Sequence, residues 1–144
     1  MLFGTLCLVT GDVHEAEEVT QEAFVKLWAR WDRVDRHPDR AAYLYRTAFN
    51  TYRSRYRRAL RPIKHPAERR APADPYAAID DQQTLIAALR TLTPRQRAAA
   101  VLVELVGMSS VEAGQALGIA PATVRVLASR AREALRTDLE RADE

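Results

Sequence analysis

Residues 110–131, which read SVEAGQALGIAPATVRVLASRA, show how the second half of the chain folds. The stretch reads as two helices around a tight turn, because Gly118 breaks the apolar pattern and Pro121 suits the first turn of a helix. Gly114 supplies a small residue where the two helices cross, and Ile119 fills the core behind the turn. This spacing predicts a helix-turn-helix motif, whose second helix lies in the major groove of DNA.

The second helix of this motif is also basic. Arginines follow its start at positions 125, 130, 132 and 136, and cations on a groove-binding helix suit contact with phosphates. An ordinary helical hairpin has the same glycine spacing but does not require these charges. The charge pattern therefore favours DNA binding over the hairpin interpretation.

The composition of the whole chain is that of a helical protein with one or two small domains. It has 144 residues, of which 47% are hydrophobic, and only five glycines. No segment shows a convincing β-strand pattern, so the expected fold class is all-α. The single cysteine, Cys7, excludes an internal disulfide, and the apolar stretches are shorter than the roughly 20 residues of a membrane span. We therefore expect a cytoplasmic protein that does not associate with a membrane.

Helical periodicity and its interruptions divide the chain into two domains. Helices are predicted at residues 2–9, from 12 or 13 to 31, and at 40–60, 77–92, 94–106, 111–117 and 121–139. Residues 61–75 contain four prolines together with basic residues, a composition that cannot form a helix. The predicted organisation is therefore a first domain at residues 1–60, an extended basic linker at 61–76 and a helix-turn-helix domain at 77–144.

The charges of the first domain are separated into an acidic block and a basic block. Five acidic residues and no lysine or arginine lie between residues 12 and 24, whereas seven arginines and no acidic residue lie between residues 40 and 61. Blocks of opposite sign on separate helices suggest two different partners. A solvated helix face is an equally good interpretation of the acidic block, but the clustered arginines repel one another unless an anion neutralises them.

The basic block carries a stripe of side chains that is typical of single-stranded DNA binding. Its members recur at spacings of three and four residues and so share one face of a helix: Tyr43, Arg46, Asn50, Arg53 and Arg57. Arginines neutralise phosphates and an aromatic ring stacks on a base, while an amide offers a paired donor and acceptor to a base edge. We predict that this stripe binds a DNA strand.

The other aromatic residues of the first domain are predicted to lie in the core or close to it. One set shares a second face of the same helix, at positions 45, 49, 52 and 56, and the other consists of Trp28 and Trp31. Contact with DNA is the alternative for the first set.

Two sets of motifs in this chain resemble bacterial extracytoplasmic-function (ECF) sigma factors. In the first half, TGD at residues 10–12, EAEEVTQEAF at 15–24, LW at 27–28 and AYLYR at 42–46 with Asn50 resemble their region 2. In the second half, LTPRQR at 92–97, GI at 118–119, TVR at 123–125 and RAREAL at 130–135 resemble their −35-binding domain. The two sets stand in the family's order and cover nearly the whole chain.

The resemblance implies a role for each surface. The side chains implied to bind the clamp helices of the largest subunit of RNA polymerase are Glu18, Gln21 and Glu22. The loop Val34 to Asp39 and the helix with the basic stripe would hold the melted −10 strand, and the last helix would read the −35 element. The implied partners are core RNA polymerase, through its clamp helices and flap, and promoter DNA, with an anti-sigma factor as a further candidate. No cofactor and no metal is implied.

The last helix departs from the family pattern at residues 126–128. A polar residue, arginine and leucine are common there in the family, whereas this chain has Val126, Leu127 and Ala128. We predict that Leu127 takes the core position of the following residue and that the helix rotates slightly. The alternative is that Val126 or Leu127 stays exposed and contacts thymine methyl groups or a protein partner. Base reading then falls to Thr123, Arg125 and Ser129, with Arg130 and Arg132 on phosphates, and the −35 preference should be weak.

Two alternatives to an active sigma factor remain open at this stage. A stand-alone helix-turn-helix regulator explains the second domain but leaves the acidic block and the basic stripe without a role. A degenerate sigma-like protein is the other alternative, because family members usually carry a further helix upstream of the segment that begins here at Met1. An enzyme is disfavoured, because the three histidines are far apart and the sequence contains no glycine-rich phosphate loop.

Overall fold

The structure is a computed structural model that describes residues 1–59 and 80–142. Every secondary-structure element in these two segments is helical, which confirms the all-α prediction. The helices are α1 (Leu2–Thr10), α2 (Val13–Ala29), α3 (Trp31–Asp35), α4 (Arg40–Ala59), α5 (Asp80–Thr91), α6 (Pro94–Ala100), α7 (Ser110–Leu117) and α8 (Pro121–Ala142). The predicted linker at residues 61–76 lies outside the described residues.

The first domain is built from α1 to α4, with α2 packed against both α1 and α4. Gly11 ends α1 in the left-handed conformation, at φ 67°, which glycine adopts without a steric penalty. Asp12 then starts α2, because its carboxylate accepts hydrogen bonds from the backbone N–H groups of His14 and Glu15. These local signals place α2 so that Ala16, Val19 and Ala23 are buried.

The prediction for the end of α2 was wrong. The helix ends at Ala29 rather than at residue 31, and the short helix α3 occupies part of the predicted loop. The reason is Val34, whose side chain is fully buried. A turn of helix after α2 carries Val34 back to the core, and this long-range packing has no signature in so short a segment.

From residue 80 onward the second domain follows the predicted helix boundaries closely, and two of its helix starts are strongly capped; the predicted start at residue 77 lies outside the described residues. Thr93 and Ser109 each form a capping box with the glutamine or glutamate three residues later, an arrangement that satisfies two backbone N–H groups at once. The predicted helix at 94–106 is present as α6, which continues as a π-helical turn over Val101–Leu105. That turn is closed by a hydrogen bond from the Val106 N–H to the Val101 carbonyl at 3.0 Å.

The helix-turn-helix of α7 and α8 depends on its two glycines. A Cβ atom on Gly114 would lie 2.7 Å from the Ile119 carbonyl oxygen, so no larger residue fits at this crossing. Gly118 ends α7 in the left-handed conformation at φ 68°. These contacts confirm the roles that the spacing predicts for both glycines.

The two domains pack against each other. Helix α4 lies against α7, and α1 lies against α6 and the π-helical turn. One continuous cluster of buried side chains includes Leu6 and Val9 from the first domain and Val101 and Leu102 from the second. The apolar core therefore extends through both domains.

The prediction that both tryptophans lie in or near the core was wrong. Trp28 is 77% exposed and Trp31 is 41% exposed. The residues of α2 that face α1 and α4 are small, and Trp28 lies on the opposite face with Phe24 and Val25. The aromatic set on α4 is split, because residues 45 and 49 are buried, residue 52 is half-buried and residue 56 is exposed.

Candidate functional site

The start of α4 and the loop before it form one side of a cleft with a volume of about 610 Å³. Tyr43, Arg46 and Asn50 of the predicted stripe line this cleft, together with His37 and Asp39 of the loop. Asp39 fixes the loop to the helix, because its carboxylate accepts a hydrogen bond from the Ala42 N–H at 2.9 Å. The His37 and Tyr43 rings meet edge to face, with centroids 5.4 Å apart. The structure thus brings the predicted loop and three members of the stripe into one site.

The opposite side of this cleft is formed by the second domain. Gly107, Met108, Glu112 and Gln115 line it, on α7 and the segment before it. The stripe proposed for a DNA strand therefore faces the helix-turn-helix domain, an arrangement that the sequence did not indicate.

The remaining two members of the stripe lie farther along α4. Arg53 donates a hydrogen bond from Nη1 to the Leu117 carbonyl at 2.8 Å and one from Nη2 to Asn50 Oδ1 at 2.6 Å. Arg57 and Arg53 border a second, more apolar cleft of about 430 Å³ between the domains, which Tyr52 and Leu127 also line. The stripe is continuous along α4, and its second half faces the turn between α7 and α8.

The acidic helix α2 is tied to α4 by one arginine. Arg55 donates hydrogen bonds to Glu15, at 2.8 Å from Nε, and to Glu18, and it lies 3.6 Å from a carboxylate oxygen of Glu22. The hydrogen bond to Glu15 raises the pKa of Arg55, which keeps the guanidinium protonated. Of the three side chains predicted to bind polymerase, Glu18 and Glu22 thus have a partner within the chain, and Gln21 is exposed.

An exposed apolar stripe lies next to Gln21 on α2. Phe24, Val25 and Trp28 are three, four and seven residues from Gln21, and their exposed fractions are 49%, 68% and 77%. The Trp31 ring extends this surface, with its centroid 6.2 Å from that of Trp28. Sequence reasoning missed this surface. A helical wheel centred on the small residues of α2 would have placed the stripe on the outer face.

Four of the five residues predicted for the −35 element are exposed. Arg125, Ser129, Arg130 and Arg132 are exposed, and Thr123 is half-buried at the start of α8. Arg125 donates a hydrogen bond to Ser110 Oγ at 3.1 Å, and Arg132 donates one to Glu104 at 3.0 Å. These bonds hold both guanidinium groups close to the helix-turn-helix surface.

The predicted rotation of α8 was wrong. Val124, Ala128 and Ala131 form the buried face, with exposed fractions of 3% or less, whereas Leu127 is half-buried and lines the apolar cleft. Ala128 is small enough to keep the core position at the crossing with neighbouring helices. Leu127 is therefore directed toward the other domain, and Val126 is 47% exposed.

The described segments contain neither a metal-binding cluster nor a membrane-spanning helix. Residues 1–59 and 80–142 contain no group of three or more side chains placed to hold a metal ion. No helix in this part of the chain is long and apolar enough to cross a membrane.

Comparison with known proteins identifies the family. Residues 1–61 match the model of sigma-70 region 2, and residues 82–135 match the model of sigma-70 region 4. An RNA polymerase sigma-E factor of Streptomyces avermitilis is 33% identical over 92% of this chain and 75% of the relative. The chain belongs to the ECF sigma factors of the sigma-70 family. The ECF RNA polymerase sigma factor SigG of Mycobacterium tuberculosis is 30% identical over 90% of this chain.

This ECF family member covers less than half of the length of some relatives and most of the length of one solved structure. It covers 43% of the length of SigG. The sigma factor RpoE of Bartonella quintana, solved in complex with the anti-sigma factor NepR, superposes with a TM-score of 0.76 at 26% identity. That match covers 96% of this chain and 89% of the other. The expected family and fold class are thereby confirmed.

Proposed function

We propose that this chain is a sigma factor that binds core RNA polymerase, recognises the −10 and −35 elements of a promoter and directs the start of transcription in the cytoplasm. The observation that carries the proposal is the presence of both sigma regions in one chain, each with an exposed surface suited to its role. The chain supplies binding and positioning, and we assign it no catalytic step and no cofactor.

The polymerase-binding surface is the outer face of α2. Glu18, Gln21 and Glu22 contact the clamp helices, and the neighbouring Phe24 and Trp28 add apolar area to that contact. Large aromatic side chains dominate the energetics of many interfaces, and an apolar centre with a charged border is the usual anatomy of such a surface. Contacts with Arg55 fix the positions of the Glu18 and Glu22 carboxylates at the border of this surface. The second domain is proposed to contact the flap.

The −10 surface is the stripe on α4 with the loop before it. The polar lining of the cleft suits an unstacked base, with the Tyr43 ring available for stacking and the Asn50 amide for a base edge. Arg46 is exposed beside these two groups and suits a phosphate. Arg53 and Arg57 extend the basic surface along the path of the strand.

The −35 surface is the exposed side of α8. Arg125 and Ser129 lie on it within the first three turns, where a recognition helix contacts base edges, and Thr123 is at its edge. Arg130 and Arg132 are assigned to phosphates. Val126 is exposed on the same helix and cannot hydrogen-bond to a base, which supports the prediction of a weak −35 preference.

Binding to core polymerase separates this function from that of a stand-alone regulator. We would titrate the fluorescently labelled full chain with core polymerase from a relative, and repeat the titration with Gln21→Ala and with Ser54→Ala, an exposed residue of α4. The expected result is saturable binding that Gln21→Ala weakens and Ser54→Ala does not. Binding to duplex DNA without any binding to core would instead support the regulator.

A further inference from the structure

The apolar cleft beside α4 has the size and the lining of a small-molecule site. Its volume of about 430 Å³ lies within the roughly 300–1,000 Å³ that is typical of ligand pockets. Phe49 of α4 and Ala98 of α6 line it and are buried. The other apolar lining is half-buried and comes from both domains: Tyr52, Leu117, Ile119 and Leu127. Ligand pockets combine such a lining with a few converging polar groups, and they are frequent where domains meet.

The polar groups that converge on this cleft are arginines. Three arginines border it, whereas none of the described residues that line it is acidic. Arg53 is held by its hydrogen bonds to the Leu117 carbonyl and to Asn50, at 2.8 Å and 2.6 Å. Arg57 and Arg95 are exposed, and within residues 1–59 and 80–142 neither forms a hydrogen bond or an ion pair. The cleft therefore has two cations available to an anion, one on α4 and one on α6.

The apolar surface next to these cations is partly open to solvent. The Tyr52 and Tyr56 rings lie on one side, with centroids 6.2 Å apart, and the Tyr56 side chain is 40% exposed. Covering such a surface removes apolar area from water, which favours binding of an apolar group. Anionic and apolar parts of one molecule would thus each find a matching surface in the cleft.

We propose that the apolar cleft binds a small amphipathic carboxylate, a molecule with an apolar body and one terminal carboxyl group. The body packs against Tyr52, Tyr56 and Leu127, and the carboxylate accepts hydrogen bonds from Arg57 and Arg95. A carboxylate has two acceptor oxygens, and a guanidinium presents its N–H groups in a planar arrangement that matches them. Binding of such an anion does not depend on whether the chain acts as a sigma factor.

The experiment is an NMR titration of the isotope-labelled full chain with sodium octanoate, which reports both the affinity and the location of binding. Octan-1-ol, which has the same hydrocarbon chain without the charge, and sodium acetate, which has the charge without the chain, are titrated in parallel. For octanoate we expect saturable shifts at the backbone amides of residues 52–57, 117–119 and 127. Its Kd should be about tenfold or more below that of octan-1-ol, because only the anion makes charge-assisted hydrogen bonds. Acetate should give no saturable shifts.

The two exposed arginines are tested one at a time. Arg57→Gln and Arg95→Gln should each raise the Kd for octanoate by about fivefold or more, because one charge-assisted hydrogen bond is lost. Neither substitution should change the Kd for octan-1-ol. Arg58→Gln is the matched control, because Arg58 is exposed next to Arg57 but does not line the cleft. It should change neither Kd.

The apolar part of the site is tested by filling the cleft. Leu127→Trp should weaken octanoate and octan-1-ol alike, since the larger side chain occupies the space of the hydrocarbon chain. Val126→Trp, at the adjacent exposed position, should weaken neither. If the amide spectrum shows that Leu127→Trp disturbs the fold, the arginine variants decide the result, because both arginines are exposed.

Four results would overturn the proposal. Octanoate that gives no saturable shifts would show that the cleft is not a site for this class of molecule. Equal affinities for octanoate and octan-1-ol would show that the arginines do not bind the carboxylate. Equal effects of Arg95→Gln and Arg58→Gln would show the same for Arg95. Shifts centred on Trp28 and Trp31 would place binding on the exposed aromatic surface of α2 instead.

Discussion

At the scale of single residues, Arg55 connects the acidic helix to the basic one. Its side chain contacts the carboxylates of Glu15, Glu18 and Glu22, although the sequence places it in the arginine-rich block proposed for DNA. Without Arg55, Glu15 and Glu18 would lose this cation on one face of α2, whereas Glu22 also pairs with Lys26 at 3.2 Å. The residue therefore stabilises the first domain and is not available to DNA.

This role predicts a specific loss of stability. Arg55→Ala should lower the free energy of unfolding by about 1–2 kcal/mol, because charge-assisted hydrogen bonds from a partly buried group are lost. Arg58→Ala is the matched control, since Arg58 is exposed and its hydrogen bond to Ser54 is long, at 3.5 Å. Urea unfolding of both variants makes the comparison. Equal effects of the two substitutions would show that the contacts of Arg55 do not stabilise the fold.

Trp28 gives the second residue-scale prediction. Because its side chain is 77% exposed, Trp28→Ala should leave the free energy of unfolding within about 0.5 kcal/mol of the unmodified chain. Binding to core polymerase should weaken by at least about 2 kcal/mol if Trp28 lies at the centre of the interface. Val111→Ala, which truncates an exposed apolar residue on α7, should change neither quantity. A Trp28→Ala chain that is destabilised but binds core normally would place Trp28 in the fold rather than in the interface.

At the scale of elements, the register of α8 decides which residues face the other domain. Ala128 is 3% exposed, whereas Leu127 borders the apolar cleft next to Arg53 and Arg57. Introducing an arginine should therefore have different effects at these adjacent positions.

Ala128→Arg should destabilise the second domain by about 3 kcal/mol or more, because it overpacks the core and buries a charge. Leu127→Arg should lower the free energy of unfolding by less, because the new side chain can extend from the cleft into solvent. Its charge would be repelled by Arg53 and Arg57 of α4, which line the same cleft. Urea unfolding of the two variants measures the difference. If Leu127→Arg lowers the free energy of unfolding as much as Ala128→Arg does, Leu127 is a core residue and the rotated register predicted from the sequence is correct.

The outer face of α8 gives a further prediction. Arg125→Ala should reduce discrimination between −35 sequences by about 1–3 kcal/mol, as expected for the loss of a base contact. Arg132→Ala should weaken binding to all duplexes alike and lower the salt slope by about 0.9. Duplex binding at several salt concentrations separates the two effects. A loss of discrimination in the Arg132→Ala variant alone would exchange the two assignments.

Local signals explain which elements were predictable from the sequence. Thr93 and Ser109 start helices, Gly118 ends one, and these effects act within a few residues of the chain. The face that a helix buries depends on the helices packed against it, which is why the exposure of Trp28 and the half-burial of Leu127 were missed. The ion pairs of Arg55 and the bond from Arg53 to Leu117 join residues that are distant in sequence, and no local pattern encodes them.

At the scale of the whole molecule, the two sigma regions share one continuous core. The outer faces of α2 and α8 are exposed in this arrangement, whereas the cleft at the start of α4 is bordered by the second domain. The surfaces proposed for polymerase and for the −35 element are thus accessible together, whereas the surface proposed for the −10 strand faces the second domain.

We propose that the chain directs transcription when it is bound to core polymerase. The most direct test is transcription in vitro by core enzyme and the full chain, on a pool of templates with randomised −35 and −10 positions, followed by sequencing of the RNA 5′ ends. We expect transcripts that depend on the chain, from templates that share a −10 sequence and show a weaker −35 preference, and fewer transcripts with Arg46→Ala. Core enzyme that binds the chain but produces no transcripts that depend on it would show that the chain does not direct transcription.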